Sequence, residues 1–230
     1  MTHRFATVCA WLLCAGALLA QDDSQTQDPK PVDLGPYVLE VTAEPAHQRD
    51  MTRYLVSLQM PEGDRVSSVY GTNVHPVSLR APEGVFNSPY NGSWSASGMN
   101  PKFFEIMPDM KDDTYATIGL TTGAKISGLA GAEDPTMVQD SGEPWDEFFS
   151  KSGETQMDIR THTGGAYFVL RTASNGAPVD GKVLLMQVTT PGAFSGALNV
   201  QIFPASDAYD QVRYRFEFTG TGTFEGVPID

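Results

Sequence analysis

From Val212 to Thr219 the side chains alternate without a break. Val212, Tyr214, Phe216 and Phe218 fall on one side, and Arg213, Arg215, Glu217 and Thr219 on the other. A repeat of two is the period of a pleated strand, and it gives one face to a core and one to water. The same period runs through Tyr37, Leu39 and Val41, and through Tyr54, Val56, Leu58 and Met60. Leu198, Val200 and Ile202 alternate with Asn199 and Gln201. Val66 to Tyr70, Tyr115 to Leu120 and Ala166 to Arg171 read as further strands. The run from Val183 to Val188 is apolar on both faces, as a strand inside a sheet requires. The break at Thr190-Pro191-Gly192-Ala193-Phe194, followed by renewed alternation, predicts a hairpin between this run and Leu198 to Ile202. Asn175-Gly176 and Asp180-Gly181 are turn dipeptides. Helical signal is confined to Lys102–Met107 and Pro144–Phe149, a turn or two each. The expected fold is all-β: a single antiparallel β-sandwich or jelly-roll-like domain with one or two short helical turns, built from roughly nine or ten strands.

The domain is expected to span residues 36–230. Ahead of it, residues 1–20 read as a signal peptide: Arg4 is followed by an apolar stretch from Phe5 that small residues close at Ala20. Residues 21–35 are polar and Pro-containing and read as a disordered spacer. Cys9 and Cys14 both lie in the leader, so the mature chain is expected to be cysteine-free. No later apolar run reaches membrane length, which predicts no membrane insertion once the leader is removed. The expected location is secreted, extracellular or periplasmic. With 15 basic and 28 acidic residues, the net charge of −13 makes nucleic acid a poor partner.

Several spaced phrases carry a resemblance. They are Val66-Ser67-Ser68-Val69-Tyr70-Gly71, Gly84-Val85-Phe86 with Tyr90-Asn91-Gly92, and Met99-Asn100-Pro101-Lys102-Phe103-Phe104. Asp112-Asp113-Thr114-Tyr115-Ala116-Thr117-Ile118-Gly119-Leu120 follows, then Val183 to Thr190 and Ser195 to Ile202. In these the chain resembles an uncharacterised family of secreted β-rich proteins from marine bacteria and some algae, although the family's tryptophan in the fourth phrase is replaced here by Ala116. The resemblance implies secretion and a β-rich fold, and no known activity.

No catalytic signature stands out. There is no Gly-x-Ser-x-Gly elbow, and His47, His75 and His162 lie far apart in no metal-binding spacing. Two features point to binding. Phe86, Tyr90 and Trp94 sit in a loop rich in Asn, Ser, Pro and Gly, and Trp145 lies in a second loop; such rings can stack on sugar faces. Asp140, Glu143, Asp146 and Glu147 supply hard oxygens around Gly142, which makes calcium (Ca2+) a candidate ligand. Asp109, Asp112 and Asp113 form a second acidic group, and Asp207 and Asp210 a third. Asn91-Gly92-Ser93 is a glycosylation sequon. Arg213, Arg215 and Glu217 read as a solvated or cross-strand-paired face. The leading expectation is a secreted, non-enzymatic binding or matrix protein whose partner is a glycan, an extracellular protein or calcium. The alternatives are a polysaccharide hydrolase using the carboxylates of Asp140 to Glu147, and a purely structural envelope or surface protein.

Overall fold

The computed structural model describes residues 35–206 and 210–230. The expected leader and residues 21–34 of the spacer lie outside the described residues, as do both cysteines and Asp207. All described residues fall in the compact unit Leu34–Asp230.

Thirteen strands are present among the described residues. In chain order they are β1 (Val38–Pro45), β2 (Thr52–Gln59), β3 (Arg65–Gly71), β4 (Val77–Arg80), β5 (Tyr115–Ala116), β6 (Thr136–Val138) and β7 (Gln156–Ile159). There follow β8 (Gly165–Phe168), β9 (Lys182–Thr190), β10 (Ser195–Phe203), β11 (Val212–Thr219), β12 (Gly222–Glu225) and β13 (Val227–Ile229). They form two antiparallel sheets packed as a sandwich. One has the order β12-β1-β2-β9-β5; the other runs β13-β11-β10-β3-β8-β6, with β4 beside β10 and β7 beside β4. No helix among the described residues is long and apolar enough to cross a membrane.

Alternation places the core. From the first sheet Leu39, Val41, Val56, Leu58 and Val188 point inward; from the second come Leu198, Val200, Ile202, Tyr214, Phe216 and Phe218, all buried. The registers align these side chains into rows across the second sheet. Tyr167, Val69, Val200 and Tyr214 form one row. Met157, Leu79, Gly196 and Phe218 form another. A β-carbon at Gly196 would lie 2.6 Å from the Ser78 carbonyl and 2.9 Å from Leu79, so the neighbouring side chains fill the space above that glycine.

The double-sided apolar run in β9 has a local cause. Val56 pairs with Met186 and Ser57 with Leu184, so Leu185 is an extra, bulged residue. Leu185 and Met186 are both fully buried as a result. A second bulge, at Ser67, interrupts the alternation of β3. The Asp180-Gly181 turn is as expected: both residues have positive φ, 51° and 74°, and Val179 and Lys182 exchange both backbone hydrogen bonds across it.

The expected hairpin between β9 and β10 is not formed; the two strands belong to different sheets. Phe194 carries the chain across. Its buried ring lies 5.7 Å from Tyr54 of one sheet and 5.2 Å from Phe218 of the other. Burying that ring between the layers anchors a crossover where local pattern suggests a turn. The hairpin partner of β10 is β11 instead. Of the two helical expectations, Lys102–Met107 overlaps a 3₁₀ turn at Pro101–Phe103, whereas Pro144–Phe149 forms no helix and only leads into a single turn that Lys151 closes by donating its backbone N–H to Glu147.

One edge of β10 carries two partners. Residues 199–203 pair with β3, and residues 195–197 pair with β4. Strands β3 and β4 are therefore one line broken by the loop 72–76. Next to it β8 and β7 form a second line, broken at the same level by residues 160–164. The two breaks nest tightly: a β-carbon at Gly164 (φ 66°) would sit 2.2 Å from the Gly71 carbonyl. Asn199, fully buried, closes the gap; its amide donates to the carbonyls of Tyr70 at 3.1 Å and His75 at 2.7 Å. Asn199→Ala leaves these acceptors without that donor, and the expected cost is about 2 kcal/mol of stability. Urea unfolding measures it; a loss below about 0.5 kcal/mol would show that the amide is dispensable.

Candidate functional site

The outward face of the second sheet is hollowed into a trough of about 640 Å³. Because Val69, Tyr167, Val200 and Tyr214 point inward, the residues alternating with them point out. These are Ser68 and Tyr70 of β3, Phe168 of β8, Gln201 of β10 and Arg213 of β11, and all line the trough. The register sets Phe168, Ser68, Gln201 and Arg213 side by side across four strands. Tyr70 lies diagonal to Phe168, two residues along β3 from Ser68. The bulge at Ser67 falls on the same floor. Thr72, Val74 and His75 of the strand-breaking loop make the end wall. Thr72 holds that loop: its hydroxyl accepts the backbone N–H groups of Val74 and His75. Opposite, His75 Nε2 donates to the Asp230 main-chain oxygen at 2.9 Å.

The trough combines ring faces with open polar groups. The Arg213 guanidinium lies over the Tyr70 ring, 6.0 Å from its centroid. The Tyr70 hydroxyl is buried and has no partner among the described residues, and burial pushes its ionisation upward against the nearby Arg213 charge. A second hollow of about 420 Å³ lies on the same sheet around Arg80 and Arg215. There both arginines are engaged, Arg80 with Asp158 at 2.6 Å and Arg215 with Glu217 at 3.0 Å. The charged face expected of β11 is thus cross-strand and same-strand paired at Arg215 and Glu217, whereas Arg213 belongs to the trough.

The residues singled out in the loops are distributed differently. Trp145 is 0% exposed and meets Tyr167 edge-on with centroids 5.5 Å apart; it is a core ring, not a stacking surface. Gly165 makes room for it, since a β-carbon there would lie 2.2 Å from the indole nitrogen. Trp94 packs against the core beside the same tyrosine, and Phe86 is half-buried. Tyr90 alone of the four is open, at 52% exposure. The loop that carries Phe86 and Trp94 is also tied down from below. Buried Asp113 accepts the Ser88 backbone N–H and the Asn91 amide, each at 2.6 Å. Asn91 is itself buried and also donates to the Ser95 carbonyl, so the amide of the sequon is a structural tie.

The four carboxylates expected to hold calcium form no common ligand set among the described residues, and each has its own partner. Asp140 accepts the Gly142 backbone N–H, which holds its pKa below the usual carboxylate value. Asp146 accepts from Gln139, and Glu147 pairs with Lys151 at 2.6 Å. Glu143 accepts the backbone N–H groups of Arg160 and Thr161. Among the described residues no group of three or more His, Asp or Glu side chains is placed to hold a metal ion. Of the second acidic group, Asp112 is fully buried and accepts the Gln48 backbone N–H at 2.6 Å, with Arg53 at 3.5 Å. His47 and His162 are exposed, apart from the trough lining.

The trough residues Ser68, Tyr70, His75, Phe168 and Gln201 carried no functional signal in the sequence. Their outward positions follow from alternation, but their adjacency depends on the sheet order. Comparison with protein families, with curated proteins and with solved structures returns no match to this chain.

Asp113 gives the loop a pH response. Burial outweighs its two hydrogen bonds and raises its pKa to about 7. In the unfolded chain the same carboxyl ionises near its ordinary value of 3.8. Its contribution is therefore complete below about pH 4 and declines as pH rises to 7, by up to about 4 kcal/mol. Urea midpoints of the wild type are expected to carry this decline between pH 4 and 7, and those of Asp113→Asn to lack it. Parallel curves for the two proteins would contradict the assignment.

Proposed function

We propose that this chain is an exported, non-enzymatic binding protein that holds a glycan segment in the trough of its second sheet. The resemblance to secreted β-rich proteins and the apolar leader support export. The observation that carries the reading is the pairing of two half-buried rings, Tyr70 and Phe168, with unengaged polar side chains on one rigid floor. A sugar ring presents an apolar C–H face edged by hydroxyls. Aromatic faces cover the first, and the Ser68 hydroxyl, the Gln201 amide and the Arg213 guanidinium can bond the second. Strand-borne side chains hold such a constellation more firmly than a loop does.

Affinity electrophoresis through gels containing soluble polysaccharides tests this reading. At least one polysaccharide is expected to retard the protein, without release of reducing ends. Tyr70→Ala and Phe168→Ala are each expected to weaken retardation about tenfold, or about 1.4 kcal/mol. Tyr90→Ala, on the loop, is expected to leave it unchanged. Full retardation of both trough variants, with loss in Tyr90→Ala, would move the site to the loop and refute the trough.

A further inference from the structure

Many cations of the molecule are held by acids, and Arg213 is not one of them. Arg53, Arg80, Arg160, Arg215, Lys151 and Lys182 each meet a carboxylate. Arg213 meets none among the described residues, although acidic residues outnumber basic ones 28 to 15. Its cation instead rests over the Tyr70 ring. Stacking on a ring fixes the planar head and leaves its rim of N–H donors unengaged.

The neighbours complete a donor set. Gln201 is directly opposite Arg213 in the β10–β11 register, and Ser68 is directly opposite Gln201. Neither side chain makes a hydrogen bond within the described residues. An amide, a hydroxyl and a forked guanidinium thus line up across three adjacent strands. That set is suited to the oxygens of a carboxylate or sulfate, which accept two parallel bonds from arginine. The trough holds one acidic side chain, Asp230, at its end wall beside His75.

Resting on the glycan reading above, we propose that the ligand is an anionic glycan, with a uronate carboxylate or a sulfate ester bound by Arg213, Gln201 and Ser68 while the sugar ring covers Tyr70 and Phe168. At physiological ionic strength the Debye length of about 8 Å screens the repulsion of distant acids, so the local charge of the trough decides selectivity.

The test measures binding of the purified protein to three soluble polymers of equal length: a polyuronate, a sulfated galactan and a neutral glucan. Calorimetry at 0.15 M salt, a physiological ionic strength, is run on the wild type and on Arg213→Gln, Arg213→Lys and Asp230→Asn, each checked for an unchanged melting curve. At least one anionic polymer is expected to bind roughly tenfold or more tighter than the glucan. The uronate and sulfate arms tell the two anions apart. Arg213→Gln is expected to weaken the anionic polymer roughly tenfold or more and the glucan far less, which erases the preference. Arg213→Lys, which keeps the charge but not the fork, should restore part of it. Asp230→Asn should strengthen the anion two- to fivefold by removing the opposing charge. Equal affinity for all three polymers, or equal loss for all three in Arg213→Gln, overturns the anionic assignment and leaves the glycan trough standing. Binding to none of them overturns both.

Discussion

Everything on the second sheet depends on how the single edge of β10 is shared. Two short strands, β3 and β4, lie end to end along it, and the chain must leave the sheet between them. Leaving frees carbonyls that the ladder would otherwise satisfy, in a partly buried place. The amide of Asn199 satisfies two of them from within β10, and its own oxygen accepts from Arg215 at 3.2 Å. A buried polar side chain is tolerated in this core because each of its groups has a partner. The loop that results stands as a wall at the end of the outer face. Without it, that face would be an open pleated surface rather than a trough.

The layers and their inward side chains were legible in the sequence, because the period of two survives in β1, β2, β10 and β11. Tyr214, Phe216 and Phe218 point inward as the alternation requires. Where the period failed, the cause was a bulge, at Leu185 and at Ser67, which shifts the alternation by one residue. The crossover at Phe194 was misread because a Pro-Gly break looks the same whether the chain turns back or changes layer. Only the packing of that ring against Tyr54 and Phe218 distinguishes the two. Loops were the least legible. Trp145 and Trp94 looked available because the surrounding residues were polar. The rings are drawn inward by Tyr167, whose place in the sheet no local pattern reveals.

A binding surface hidden from sequence reasoning is what this architecture produces. Loop residues announce themselves by composition, whereas the trough draws Tyr70, Phe168, Gln201 and Arg213 from four strands of ordinary pattern. The acidic side chains illustrate the converse. Asp140, Glu143, Asp146 and Glu147 cluster in sequence, yet in space they serve as turn caps and ion-pair partners. Closeness along the chain predicted a shared metal site poorly here, because each acid is already taken by a local partner.

The floor of the trough gathers side chains from residue 68 to residue 213, with Asp230 at its rim. No fragment of the chain carries the surface by itself. A nascent or partly opened polypeptide presents its rings and its open guanidinium separately, scattered over most of its length. Stickiness is thus coupled to completion: the molecule becomes able to hold another only when β11 has docked and the last strand has closed beside it.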